Sequence, residues 1–389
     1  MKRFLIIIKF IFLLQVHILF SNFQEEIETI IPGAESIDEY ISLIKNKKIG
    51  IVSNSSSIIR TKNKKIHLLD TLIKLNQSIS AVFAPEHGFL SDKENGALIK
   101  NNFDSKRKIN IYSLYGKNKK PSSKQLKDIN IMIFDLQDVG ARFYTYLSTL
   151  YYTMEACAEN KIPLIILDRP NPNGHYVDGP VLEKEFTSFV GILEIPIVHG
   201  MTLGEIAKMI YGEGLIDSKH QIQVIKIKNY NHNLHYDLPL PPSPNLPNNL
   251  SINLYPSLCL FEQTPISVGR GTNLQFQIFG NPKFHSSFSF IPKPNLGSQS
   301  PKHKGKVCYG RDLRLTERLS KIEIKWLIDA YKQYPEKNAF FKPGFSLLAG
   351  TNCLQEQIRD NYSEEEIRKS WESGLKKFKK IREKYLLYP

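Results

Sequence analysis

Four cysteines in 389 residues are too few for a disulfide-stapled scaffold. Cys157, Cys259, Cys308 and Cys353 are also too scattered for a zinc cluster. No GxGxxG follows the first predicted strand, which removes the usual dinucleotide fingerprint. No HExxH or similar close spacing joins His87, Asp135, Asp168, His175 and His199, so no metal is expected. Glycine and proline, 22 of each, fall far below the enrichment of collagen or of wholesale disorder. After the first 21 residues no apolar run is long enough to span a bilayer, and no internal repeat is visible.

Charge, by contrast, is abundant and unbalanced. Fifty-two Lys and Arg against 38 Asp and Glu give a formal net charge of +14, which favours anionic partners. The Lys-rich tail intersperses its cations with acids, as a solvated helix face does, so no nucleic-acid partner is expected. At the start, Lys2 and Arg3 precede an apolar stretch that ends near Ser21, the pattern of an export signal over 1–21. That predicts an extracytoplasmic protein with no stable membrane insertion after signal removal; an uncleaved anchor is the alternative. Export permits a disulfide, and Cys308 with Cys353 is the favoured pair.

Apolar periodicity predicts helices over 36–45, 66–75, 122–129 and 146–160, interleaved with strands at 49–52, 79–83, 131–134 and 164–167. These strands have no polar alternating face, so they suit a parallel sheet covered by helices on both sides. Thr202 and Glu205 form a capping-box signature for a helix over 202–211, and 224–227 adds a strand. A Pro-rich stretch over 238–256 is expected to lack regular structure and to serve as linker or cleft wall. Beyond it, 275–278 and 287–290 alternate like strands, 292–315 reads as loop, and 323–334 and 363–385 read as helices. The expected fold is α/β, a parallel-sheet domain over 22–245 with a smaller α+β domain over 246–389.

In such sheets ligands bind beyond the carboxyl ends of the strands, which draws attention to the residues there. Glu86 is the sharpest candidate: a carboxyl held in a cleft beside Phe83 and Phe89 would stay protonated near neutrality and act as a general acid. A helix cap or a Lys pair would use it equally well. His87 is placed to orient a substrate oxygen or to pack. Asp135, Asp138, Asp168 and Arg169 converge if the sheet is right, either as a site or as strand-end caps and ion pairs. Glycoside cleavage employs an acid and a second carboxylate, for which Asp135, Asp168 and Glu262 all qualify. Arg142, Arg169 and Arg270 are the candidates for gripping a carboxylate, Arg270 being set between Gly269 and Gly271. Tyr144 and Tyr146 offer rings and hydroxyls to a sugar pocket, or pack in the core.

Several ordered motifs together resemble the exo-β-N-acetylmuramidase family. They are Pro85-Glu86-His87-Gly88, Ser113-Leu114-Tyr115-Gly116, Phe134-Asp135-Leu136-Gln137-Asp138-Val139-Gly140 and Arg142-Phe143-Tyr144-Thr145-Tyr146. Leu167-Asp168-Arg169-Pro170-Asn171-Pro172, Asp178-Gly179-Pro180, His199-Gly200-Met201-Thr202 and Pro241-Pro242-Ser243-Pro244-Asn245 continue the series. Cys259-Leu260-Phe261-Glu262 and Gly269-Arg270-Gly271-Thr272 complete it, so the resemblance runs from about Ile49 to the C-terminus. It implies a Rossmann-like domain that uses no cofactor, a smaller domain completing a cleft, and removal of terminal N-acetylmuramic acid from peptidoglycan fragments. It also implies Glu86 as catalytic acid, with His87 in the pocket. His199 and the other motif residues carry binding or support roles on motif membership alone. Two departures from the family pattern, at Gly88-Phe89-Leu90-Ser91-Asp92 and at Val52-Ser53-Asn54-Ser55-Ser56-Ser57, touch the expected cleft rim. A non-catalytic peptidoglycan-binding protein and a metal-dependent envelope hydrolase are the competing expectations.

Overall fold

Short apolar strands without a polar face bury both sides, and the architecture follows from that. A computed structural model describes residues 29–61, 64–90, 96, 100–217 and 221–389. The expected export signal over 1–21 lies outside the described residues. The strands are β1 (Lys48–Ser53), β2 (Ile58–Arg60), β3 (Lys65–His67), β4 (Ser78–Ala84), β5 (Asn102–Asp104), β6 (Ile109–Ser113) and β7 (Ile131–Asp135). They continue as β8 (Leu164–Leu167), β9 (Asp178–Val181), β10 (Pro196–Val198), β11 (Ile222–Ile225), β12 (Ile278–Asn281), β13 (Phe288–Phe290) and β14 (Cys308–Asp312).

The main sheet has seven strands in the order β11-β8-β7-β1-β4-β6-β5. Every pairing is parallel except β5 with β6. Counting only the parallel strands along the chain, this is the doubly wound order of dinucleotide-binding folds, with its reversal between β1 and β7. Helices α1 (Ile37–Ile44) and α2 (Leu68–Lys74) cover one face. There they enclose Ile49, Ile51, Ile131, Ile133, Ile165 and Leu167. Alternate residues Val52, Met132, Phe134, Leu164 and Ile166 point to the other face. That second core takes in α4 (Tyr146–Glu159), which follows the short α3 (Ser123–Leu126), and α5 (Leu203–Gly212). Thr202 and Glu205 close the expected capping box on α5. Ribbons β2-β3 and β9-β10 flank the sheet.

The C-terminal region is a smaller α+β assembly. Its antiparallel sheet runs β12-β14-β13. With it go α6 (Asn249–Leu258), α7 (Lys325–Gln333), α8 (Phe345–Ala349) and α9 (Cys353–Arg359), whereas the last helix, α10 (Glu364–Glu383), returns to pack on the β9-β10 ribbon. Three expectations fail here for identifiable reasons. The Pro-rich stretch gives way to helix at Asn249, because Asn248 and Ser251 form a capping box. Pro256 is tolerated inside α6 because the carbonyl it cannot satisfy, Ile252 O, accepts instead from Asn173 Nδ2 at 3.0 Å. The supposed loop over 292–315 contains β14, whose Gly310 faces Gly280 across the ladder and which ends in Arg311 and Asp312, so it shows no apolar alternation to signal a strand. Cys308 and Cys353 are not paired: Cys308 is buried on β14, Cys353 is exposed at the start of α9, and all four cysteines are free. Among the described residues no helix is long and apolar enough to cross a membrane.

Candidate active site

Chain geometry at the end of β4 decides where Glu86 points. Pro85 O accepts from Gly88 N at 3.0 Å, closing a tight turn. His87 and Gly88 both adopt left-handed backbone, φ +69° and +78°, a conformation that glycine takes without cost and histidine takes more readily than branched residues. Glu86 is held between the strand and this turn, only 5% exposed. Its Oε2 accepts from Thr145 Oγ1 at 2.8 Å and its Oε1 from the Gly96 amide at 3.1 Å. Burial, followed by the Glu86 carboxyl, drives the nearby Tyr115 phenol well above its ordinary range, so that hydroxyl stays protonated.

Glu86 and His87 open onto a cavity of about 450 Å³, within the usual size of a small-ligand site. Rings from Tyr115, Phe143, Tyr144, Phe189, Tyr255 and Phe276 form much of its lining. Phe83, expected beside Glu86 with Phe89, is buried in one core and Phe89 packs against the other, and neither lines the cavity. Tyr144 donates to Pro242 O at 3.0 Å, fixing the Pro-rich segment, which contributes Ser243, Asn245 and Leu246 to the wall.

The wall supplied by the C-terminal region is charged. Arg270 Nε donates to Glu262 Oε1 at 3.0 Å, and the guanidinium lies 5.0 Å from the centre of the Phe276 ring. Burial works to raise the Glu262 carboxyl, but the charges of Arg270 and Lys302 outweigh it and hold the group below its usual range. Lys302 Nζ donates to four carbonyls, Phe261, Glu262, Thr264 and Ile266, at 2.8 to 3.1 Å. Burial pushes that ammonium down to about 8.

The remaining sequence candidates lie elsewhere, and their bonding explains why. Asp135 and Arg169 form a buried bidentate pair, 2.5 and 3.0 Å, with Arg169 Nη2 also on Ile58 O. Ser57 Oγ donates to Asp135 O, tying the loop after β1 to the end of β7 at the strand-order reversal. Asp168 accepts from Thr202 Oγ1, Tyr388 OH and the Gly204 amide, and burial raises it to about 6. Asp138 Oδ2 accepts from Gly140 N while Oδ1 is buried with no partner among the described residues, and burial raises this group to about 7. Arg142, offered as a carboxylate grip, is sealed: its Nη atoms donate to the carbonyls of Pro180, Ile195, Leu348 and Ala349. Burial lowers it to about 9. His199 is fully buried, accepts from Met201 N on Nδ1 and is pushed down to about 3 by burial.

Of the named candidates the cavity therefore gathers Glu86, His87, Tyr144, Glu262 and Arg270. Sequence reasoning does not single out Tyr115, Asn245 and Lys119 in the lining or Lys302 behind Glu262, whereas Thr145 stands between the two tyrosines offered to a sugar pocket. Thr145 and Tyr115 sit inside quoted motifs, a signal within reach; Lys302, in the supposed loop, carried none. Among the described residues no three His, Cys, Asp or Glu side chains are grouped to hold a metal ion.

Comparison with known proteins bears directly on this cavity. Residues 49–250 match the family model for the exo-β-N-acetylmuramidase NamZ N-terminal region, and residues 253–388 match that for its C-terminal region. The chain is 38% identical to the peptidoglycan β-N-acetylmuramidase NamZ of Bacillus subtilis, over 94% of this chain and 91% of that protein. A crystal structure of a DUF1343 family protein from Bacteroides fragilis is 44% identical, with a TM-score of 0.84 over 93% of this chain and 99% of that one. A second DUF1343 structure from the same organism is 26% identical, with a TM-score of 0.79 over 92% and 99% of the two chains.

Proposed function

The chain belongs to the exo-β-N-acetylmuramidase family, and we propose that it removes terminal β-linked N-acetylmuramic acid from peptidoglycan fragments with Glu86 as the proton donor. The carrying observation is that Glu86 is nearly buried, fixed through both oxygens, yet opens on a sugar-sized cavity. Breaking a glycosidic bond leaves charge on the departing oxygen, and an acid positioned beside it removes that charge as it forms. The surrounding rings suit the apolar faces of pyranoses, and the mixed-charge wall suits an acidic sugar.

Among the described lining residues, Glu262 is the other carboxylate, and it is engaged by Arg270. That engagement favours attack by the substrate's own acetamido oxygen over attack by a protein carboxylate, and so favours release of the sugar with retained configuration. On this reading 22–245 supply the acid, 246–389 complete the cleft, and 1–21 direct the protein out of the cytoplasm. The test is mass spectrometry of defined fragments with β-linked muramyl-glucosamine ends. Free N-acetylmuramic acid, taken one unit at a time, is expected; internal cleavage or uncut fragments would defeat the reading.

A further inference from the structure

The three arginines suited to holding an anion differ in what they have left to give. Both terminal nitrogens of Arg142 are committed to carbonyls, and its Nε, without a partner among the described residues, lies off the cavity lining; Arg169 is committed to Asp135 and Ile58 O. Arg270 lines the cavity, spends its Nε on Glu262, and has a buried Nη1 with no hydrogen-bond partner among the described residues. A buried unsatisfied donor on a cavity wall is costly unless something fills it. The charge is unbalanced in the same place, since Arg270, Lys302 and Lys342 all act on the single Glu262 carboxylate. The fork is also held in place. Phe276 lies under it, Glu262 fixes its inner edge, and the four carbonyls around Lys302 clamp the segment that carries Glu262.

We propose that Arg270 is the specificity-determining residue that reads the lactyl carboxylate of the terminal sugar, with Glu262 and Lys302 as the residues that position it. The inference rests on the muramidase reading above and deepens it. N-acetylmuramic acid and N-acetylglucosamine differ only by the lactyl ether, so a site that selects the first must engage that group. A glucosaminide leaves the Arg270 fork unfilled, and a site built to bond a polar group rejects the analogue that lacks it far more strongly than an apolar pocket rejects a missing methylene.

Three aryl β-glycosides with one common leaving group test this: the N-acetylmuramide, its lactyl carboxamide, and the N-acetylglucosaminide. The native protein is expected to prefer the muramide. Arg270→Gln is expected to lose about a hundredfold in kcat/KM on the muramide and little on the carboxamide, the scale of a charge-assisted hydrogen bond. Arg270→Lys, which keeps the charge without the fork, falls between. Glu262→Gln raises KM for the muramide with kcat nearly kept. Equal losses of Arg270→Gln on muramide and carboxamide would overturn the proposal. So would a native protein that treats those two substrates alike, a comparison that stands even where Arg270→Gln does not fold. If the native protein cleaves none of the three, the muramidase reading falls, and calorimetric titration then decides this one separately. Binding of N-acetylmuramic acid but not N-acetylglucosamine, lost in Arg270→Lys or Arg270→Gln, upholds it; equal binding of both sugars overturns it.

Discussion

Glu86 follows β4, while Asp135 ends β7 and Asp168 follows β8, all at the carboxyl edge of one parallel sheet. Their bonding differs. Asp135 is saturated by an arginine, and Asp168 by a hydroxyl, a phenol and an amide that draw elements of the fold together. Among the described residues Glu86 is held by a threonine hydroxyl and one amide, with the Tyr115 phenol beside it, and it borders a cavity. Strand-end position is thus shared by structural and chemical acids. What separates them is whether the partners close over the carboxyl or leave it facing a cavity.

That contrast can be broken in either direction. On the proposed reading, Glu86→Gln lowers turnover of a natural fragment about a thousandfold, the scale of general acid catalysis, with melting temperature nearly unchanged. Asp135→Ala does the reverse. Removing one partner of a buried ion pair costs about 3–5 kcal/mol of stability by denaturant titration, with kcat of the folded fraction retained. If Asp135→Ala instead spared stability and abolished turnover, the division of labour between the two groups of acids would be wrong.

Asp138 sharpens the comparison through pH. Folding raises its pKa from 3.8 to about 7, so between those values the folded state holds a proton that the unfolded chain has released. Stability from this group is therefore complete below about pH 4 and declines as pH climbs towards 7. In Asp138→Asn that declining component is expected to vanish, seen as a flatter difference curve of unfolding free energy against pH. The smallest effect belongs to Thr202→Ala, which removes the α5 cap and one bond to Asp168 at a cost of about 1–2 kcal/mol, with kcat unchanged.

How much of this was legible in the sequence follows from the same contrast. Strands such as Ile131–Asp135 and Leu164–Leu167 are buried throughout and apolar up to the terminal Asp135 because both faces are covered, and that pattern gives the sheet and its edge. The Thr202 and Glu205 capping box was equally visible because it is local. Partner choice was not local: Asp135 finds Arg169 34 residues away, and Arg142 finds Leu348 and Ala349 more than 200 residues away. Arg142 and Arg270 therefore read alike in sequence and separate only in three dimensions. Strand β14 was hidden because its buried positions are Cys308 and Gly310 and it ends in two charged residues, so no apolar alternation marks it. Helix α6 was hidden because Pro256 is excused by Asn173, far away in the chain.

The most direct test of Glu86 varies the leaving group. A sugar alkoxide needs a proton to depart, whereas a dinitrophenolate departs without one, so a missing acid should matter for the first and hardly for the second. Glu86→Gln should therefore lose about a thousandfold in kcat/KM on a β-linked muramyl-glucosamine fragment and roughly tenfold or less in kcat/KM on dinitrophenyl N-acetyl-β-muramide. Equal losses on the two substrates would contradict the assignment of Glu86 as proton donor.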